Sequence, residues 1–362
     1  MSKILITADI HFGVPGRLND ILYACRVMRE YCKLSGIDTA IILGDLYHDR
    51  RYLEIDVLSA SYKFFEEANE EYSQQWIVFP GNHDMYQRHS WDINSLTPLK
   101  KHLTVIEDTC KIQIDNRNFF ILPFIQFEKV YMQVLKTIND MATEDDVLLT
   151  HIGVCGAVMN TCFMLKDWGL VSFQGTKFKR VYTGHFHSRQ TIGDHVFYPG
   201  SPIPFKHDEG NVPHGFYILD TETMEHKFVN IWKAGKRFFP NETPPAQYCS
   251  VVDTDIDNLD AEEIEHNNIR IAISEDVSPE KRQEIEKTLK EKGAAGITWM
   301  ILKNDTAEIA TIENSLSKSD LFEIFLSNDT KGIKDLNVDL LRKLNSEIVR
   351  DGDEQYSYTI ED

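Results

Sequence analysis

RVYTGHFHS, residues 180–188, is a β-type apolar run that ends in glycine and then sets His185 and His187 two apart. Alternate side chains of an extended chain share a face, so both rings would point the same way at a strand end. One His-x-His is weak evidence of a site, but the same design recurs along the chain. KILITADIH (3–11), TAIILGD (39–45), WIVFPGNHD (76–84) and VLLTHIG (147–153) are β-rich runs that each stop at a polar cluster. Between the first three lie LNDILYACRVMREYCKLSG (18–36) and EIDVLSASYKFFEEANEEY (54–72), with apolar residues at helical spacing. Strands alternating with helices predict an α/β unit whose polar residues gather past the strands' C-terminal ends. After residue 110 the pattern turns to strands: KIQIDNRNFFILPF, HVFYPGSP, HGFYILDT and HKFVNIW. Together these runs predict two packed sheets with helices outside.

A chain of 362 residues, 42% of them hydrophobic, has ample material for a core. Single cores seldom grow past roughly 250 residues, so two domains are expected. The six cysteines are scattered without a C-x-x-C pair and read as reduced thiols. The N-terminal MSKILITADIH reads as a first strand rather than a signal peptide, and no apolar run approaches membrane-spanning length. The expectation is a soluble cytoplasmic protein. The formal charge of −19 argues against a generic basic nucleic-acid coat. Residues 251–362 hold 27 acidic and 13 basic residues, net −14, which leaves −5 for the first 250. The N-terminal part can therefore carry a local positive groove.

WKAGKRFFPNETPPAQ, residues 232–247, is expected to be a linker, since Pro240, Pro244 and Pro245 interrupt any regular element. A small strand–helix–strand unit follows in NIRIAIS, SPEKRQEIEKTLKEKGA and ITWMILKN, with Ser278 as N-cap, Pro279 at the first helical position and Gly293 at the end. SDLFEIFLSN and IKDLNVDLLRKLNSEIV read as two short amphipathic helices over 319–349 that need a surface to pack on. The tail 350–362 reads as mobile.

The polar strand ends, collected, are Asp9, His11, Asp45, Asn82, His151, His185 and His187, with His83 left over. Each alone has an ordinary explanation, a turn former or a satisfied histidine. Their repetition after successive strands points instead to convergence. Carboxylate, amide and imidazole donors without thiolate suit Mn²⁺, Fe²⁺ or Zn²⁺. Seven donors exceed one compact site and fit two ions sharing a carboxylate, for which Asp45 is the natural bridge. Two ions roughly 3.5–4 Å apart clamp phosphate oxygens and acidify a water, so phosphate ester hydrolysis is the expected chemistry.

D-x-H, G-D, G-N-H-D, H and G-H-x-H in this order resemble the signature of the calcineurin-like metallophosphoesterases over most of residues 1–225. The resemblance implies a four-layer α/β fold, a β-sandwich flanked by helices. It also implies one ion on Asp9, His11, Asp45 and His187 and another on Asp45, Asn82, His151 and His185. His83 would protonate the leaving alkoxide, with Asp84 behind it setting its tautomer. GDLYHDRR (44–51) departs from the protein Ser/Thr phosphatase motif, and His48 instead matches the DNA double-strand-break repair nucleases that include SbcD and tailed-phage recombination subunits. That resemblance implies Mn²⁺-dependent exonuclease action on duplex DNA and endonuclease action on single-stranded or hairpin DNA. Mg²⁺, Fe²⁺ or Zn²⁺ are the other metals it allows. It implies a phosphoesterase domain over 1–235, a small α/β capping domain over 246–312, and docking helices over 319–349 for an SMC-like coiled-coil ABC ATPase partner. It also implies a homodimer. Arg17, Arg50, Arg51, Arg88, His89, Arg189 and Lys206 are the candidate DNA contacts. No G-x-x-x-x-G-K-S/T run is present, so ATP would be bound by the partner. A small-molecule phosphodiesterase of the same superfamily is the competing reading.

Overall fold

The first sheet has six strands in the order His226–Asn230, Gly215–Asp220, Lys3–Thr7, Thr39–Ile42, Gln75–Val78, Thr104–Val105. The last four are mutually parallel, and the first two join antiparallel. The second sheet runs Gln190–Ile192, Val196–Tyr198, Arg180–Gly184, Val147–His151, Arg117–Leu122, Cys110–Ile114. Its four central strands are parallel, with an antiparallel hairpin partner at each edge. These strands belong to a computed structural model that describes residues 3–301 apart from 88–89, 161–162, 165–170, 211, 253–255, 257 and 274–276. The helices expected over 319–349 and the tail lie outside the described residues.

The strand period of two sorts the side chains into layers. Ile4 and Ile6 face the second sheet and meet Ile121, Leu149 and Tyr217 in a core between the sheets. Leu5, Ala40, Ile42 and Trp76 face the other way, onto helices Leu18–Ser35 and Ile55–Glu70. On the far side Phe120, Leu122 and Leu148 pack with Tyr131, Leu135 and Ile138 of helix Glu128–Met141. The result is helix, sheet, sheet, helix, as the sequence pattern predicts. Fully burying each such side chain is worth about 1.5–3 kcal/mol, so both faces of each sheet contribute. Gly36, at φ 64, ends the first helix, as the glycine stop requires.

A third sheet of three parallel strands follows, Tyr248–Val252, Asn268–Ile273 and Gly296–Ile301, with helix Pro279–Glu291 crossing between the last two. Ser278 Oγ accepts the Lys281 N–H at 3.3 Å, and Pro279 opens the helix. Ile264, Ile269, Ile271, Ile273 and Leu289 form its own small core. The stretch expected as linker differs at its start. Ile231–Phe238 is a helix, capped by Asn230 Oδ1 accepting from Lys233 N–H. Ile231, Trp232 and Ala234 are buried in the cluster of the first sheet's outer face. Prolines begin only at Pro240, which leaves the preceding turns free to fold on that surface. Among the described residues no helix is long and apolar enough to cross a membrane.

Candidate metal centre

Every ligand candidate sits at or just past the C-terminal end of a parallel strand. Asp9 and His11 follow Lys3–Thr7, Asp45 follows Thr39–Ile42, and Asn82 follows Gln75–Val78. His151 ends Val147–His151, and His185 and His187 follow Arg180–Gly184. The loops are sewn together by main-chain bonds: Leu43 N–H to Thr7 O at 2.8 Å, Asp9 N–H to Gly44 O at 3.1 Å, and His11 N–H to Asp45 O at 3.1 Å. Asp9, His11 and Asp45 each take φ 52 and His185 takes φ 108. Left-handed backbone at four non-glycine residues costs free energy, and its concentration here marks a functional site.

All seven candidate ligands come together. Asp45 Oδ1 accepts the His83 N–H at 2.7 Å, while Oδ2 faces His151 Nε2 at 3.4 Å and His11 Nε2 at 3.8 Å. One carboxylate oxygen thus lies between groups from both expected ligand sets. Asp9 accepts the His185 N–H on both oxygens, at 3.0 and 3.1 Å. Donor atoms of Asp9, His11 and His187 lie within 4.8 Å of one another, as do those of Asp9, Asp45 and His151. Asn82 Oδ1 lies 2.8 Å from His185 Nδ1 and 3.2 Å from His151 Nε2.

The donor set fits divalent cations, and its hydrogen bonding says so. His187 Nδ1–H donates to Glu209 Oε1 at 2.8 Å, which leaves Nε2 as a lone-pair donor. That Nε2 faces His11 Nε2 at 3.0 Å, while His11 Nδ1 is buried without a partner. With the proton of His11 on Nδ1 the two Nε2 lone pairs face each other, and a cation between them would turn that repulsion into attraction. His151 Nδ1–H likewise donates to Leu43 O at 2.7 Å and turns Nε2 inward. Burial works against an imidazolium at His151, yet the Asp45 carboxylate holds its pKa up at about 9. Burial raises Asp9 to about 6, and burial pushes His185 down to about 3. Burial opposes ionisation of Asp45, but the surrounding histidines, His151 first, pull it below the usual carboxylate range. At neutral pH the proton on His151 therefore stands where a cation would, and metal uptake should release it.

Two expectations need correction. Asp84 does not sit behind the His83 ring. Its carboxylate accepts from Gly81 N–H at 3.0 Å, Leu46 N–H at 3.3 Å and Tyr47 N–H at 3.0 Å, tying the GNHD loop to the GD loop. His83 Nδ1 lies instead 2.5 Å from His48 O. The rings of His48 and His83 are nearly parallel, with centroids 5.8 Å apart, and both lie at the half-buried lip of the centre. The second correction concerns Arg17, expected as a DNA contact. It is buried and donates to Pro204 O at 3.1 Å and Ala246 O at 3.2 Å, with Asp20 at 3.2 Å. Arg189 lies over the Phe228 ring at 4.4 Å. Arg51 and Lys206 are exposed and Arg50 is half-buried, while Arg88 and His89 lie outside the described residues.

Three residues escape sequence reasoning. Phe124 stacks on His185 at 6.4 Å, and Phe205 meets His11 and His187 edge-on at 5.7 and 5.6 Å. Glu209 is 3% exposed and also accepts the Phe205 N–H at 2.7 Å. It belongs to the short turn His207–Glu209, whose other members face the third sheet: Asp208 pairs with Arg270 at 2.8 Å, and His207 meets the Tyr248 ring at 4.8 Å. Replacing Glu209 with Gln should weaken metal affinity about 10- to 100-fold. Calorimetric titration with Mn²⁺ checks this, and unchanged affinity would reduce Glu209 to a packing role.

Comparison with known proteins agrees with this geometry. The chain resembles the protein named "Putative phosphoesterase 244L" of Invertebrate iridescent virus 6, with 26% identity over 213 residues, 56% of this chain and 70% of that one. It resembles Exonuclease subunit 1 of Enterobacteria phage T4, with 23% identity over 252 residues, 63% of this chain and 67% of that one. A solved structure described as GAP50, the anchor in the inner membrane complex of Plasmodium, aligns at TM-score 0.41 and 9% identity over 67% of this chain and 95% of that one. Residues 2–189, which carry every motif from D-x-H to G-H-x-H, match the profile of the calcineurin-like phosphoesterases. The chain belongs to that family.

Proposed function

We propose that this chain is a two-metal DNA nuclease of the SbcD-like type. It removes nucleotides from a 3′ end of duplex DNA, cuts single-stranded or hairpin DNA internally, and serves as the nuclease subunit of an ATPase–nuclease complex. The observation that carries the reading is His48 beside His83 at the lip of the candidate metal centre, His48 being the histidine that the phosphatase-type motif lacks. Similarity to a phage exonuclease subunit supports it.

Two divalent cations, Mn²⁺ in this proposal, would neutralise the phosphate and acidify a water when bound. Asp9, His11, Asp45 and His187 would hold one, and Asp45, Asn82, His151 and His185 the other. Glu209 and Leu43 O fix the tautomers of His187 and His151, so that their Nε2 lone pairs face inward. His48 O holds His83 Nδ1–H, which leaves Nε2 as the atom that exchanges a proton. Water adds its oxygen to phosphorus, the bond from phosphorus to the sugar oxygen breaks, and His83 Nε2 protonates that oxygen. The proton lost by the water restores His83. In this reading residues 246–312 form a cap over DNA, residues 319–349 dock on a coiled-coil ATPase, and the chain works as a homodimer.

His83→Ala should lower kcat about 10²- to 10⁴-fold, the usual contribution of a positioned acid, with metal binding retained. The assay is Mn²⁺-dependent digestion of end-labelled duplex DNA, with and without a candidate ATPase. A wild-type protein that hydrolyses a small phosphodiester but no DNA would replace this reading with a small-molecule phosphodiesterase.

A further inference from the structure

Beside the metal centre lies a groove of about 490 Å³ that the reaction above does not use. One wall is a hairpin, Met85–Gln87 and Ser90–Asn94, that leaves the GNHD loop immediately after Asp84. The opposite wall is the start of helix Glu128–Met141, where Phe127 and Val130 are exposed to 59% and 45%. Phe124 closes the floor. It lines the groove and stacks on the metal-ligand candidate His185, so a single ring separates the two spaces. Trp91 is fixed in advance, because its Nε1–H donates to Phe124 O at 2.9 Å.

The lining is largely apolar, with Trp91, Phe124 and Phe127 supplying aromatic faces and Asp108 the one charged group. None of the lining residues is Lys or Arg, so the groove is unsuited to a phosphate. Gln126 and Thr109 offer hydrogen-bonding groups at its edge. A ligand that places phosphate at the metals and a planar apolar group alongside would fill both spaces. We propose that this groove receives an unstacked nucleobase of the strand being cut, from a nucleotide neighbouring the scissile phosphate. The inference rests on the nuclease reading and gives it a substrate preference: the enzyme engages frayed or single-stranded termini, whose bases are free to leave the stack. Stacking on aromatic side chains tolerates any base, so the groove adds affinity without sequence preference. An apolar peptide could also lie in such a groove. The nucleobase is favoured because Phe124 and Met85 join the groove directly to the metal loops.

The test compares kcat/KM, with Mn²⁺, on a short single-stranded oligonucleotide and on the same oligonucleotide with tetrahydrofuran abasic residues flanking the cleaved phosphate. The wild type should prefer the base-bearing strand by about 5- to 150-fold, the range of one stacked base. Phe127→Ala and Trp91→Ala should each bring that ratio toward one and leave abasic cleavage unchanged. Phe127 is exposed, so its variant should fold normally. DNA cleavage with no base preference in the wild type, or with a preference that neither variant alters, would overturn the nucleobase assignment alone and leave the groove to a protein partner. Absence of any DNA cleavage, with small phosphodiesters still hydrolysed, would overturn the nuclease reading and this inference together.

Discussion

Asp45→Asn should abolish phosphodiester hydrolysis, with a fall of more than about 10³-fold, the scale of losing a group that acts on transition-state charge. Asp45 Oδ2 faces histidines of both ligand sets, and its Oδ1 positions the His83 main chain. An amide keeps the shape and removes the charge, so one substitution weakens two cation sites together. It also strips His151 of the counter-ion that keeps its pKa near 9, so that histidine should lose its proton at neutral pH. Calorimetric titration with Mn²⁺ should show lost or much weakened binding at both sites, with a thermal melt as the folding control. A variant that retains a tenth of wild-type turnover would remove Asp45 from the bridging position.

Gly81→Ala should be nearly as damaging for a steric reason. The added Cβ would overlap Asp45 Oδ1 and come within 2.5 Å of Asp45 N and 2.8 Å of His151 Cε1. Gly81 has no left-handed φ to lose, so the whole cost is crowding where two loops cross beside the candidate metal centre. Overpacking of this kind costs about 1–3 kcal/mol and sometimes more. Here the relaxation pushes on the bridging carboxylate, so activity should fall with stability. Gly16→Ala separates the two effects, because it has φ 72 and nothing within 4 Å of its added Cβ. It should melt slightly early and retain full metal binding. Equal losses in both variants would mean that backbone freedom, and not the close crossing, is what Gly81 provides.

Strand ends were legible because two periodicities and a polar stop recur together. VLLTH and RVYTGHFHS announce both their strands and their candidate ligands, and the structure brings all seven candidates to one place. Asp84 departs from the role behind His83 that the family resemblance implies, because its carboxylate turns to main-chain N–H groups of its own loop and of the GD loop. Adjacency in a tight turn does not set side-chain direction. Glu209 lies 22 positions from the histidine it supports, and KHDEG has no periodicity that marks one acidic residue as buried. Arg17 reads as a surface cation near the site, yet carbonyls from Pro204 and Ala246, far away in sequence, take up its guanidinium. Such partners exist only once the chain has folded.

The turn His207–Glu209 has a practical consequence for anyone who divides this protein. Pro244 and Pro245 invite a cut there, to isolate the half that bears the candidate metal ligands. That cut would remove Arg270 from Asp208 and Tyr248 from His207, and Ala246 from Arg17, which also braces Pro204. The segment left dangling is the one that aims His187 through Glu209. A shortened chain would therefore report on a centre with one slack ligand, and low activity in it would say little about whether the missing part touches substrate.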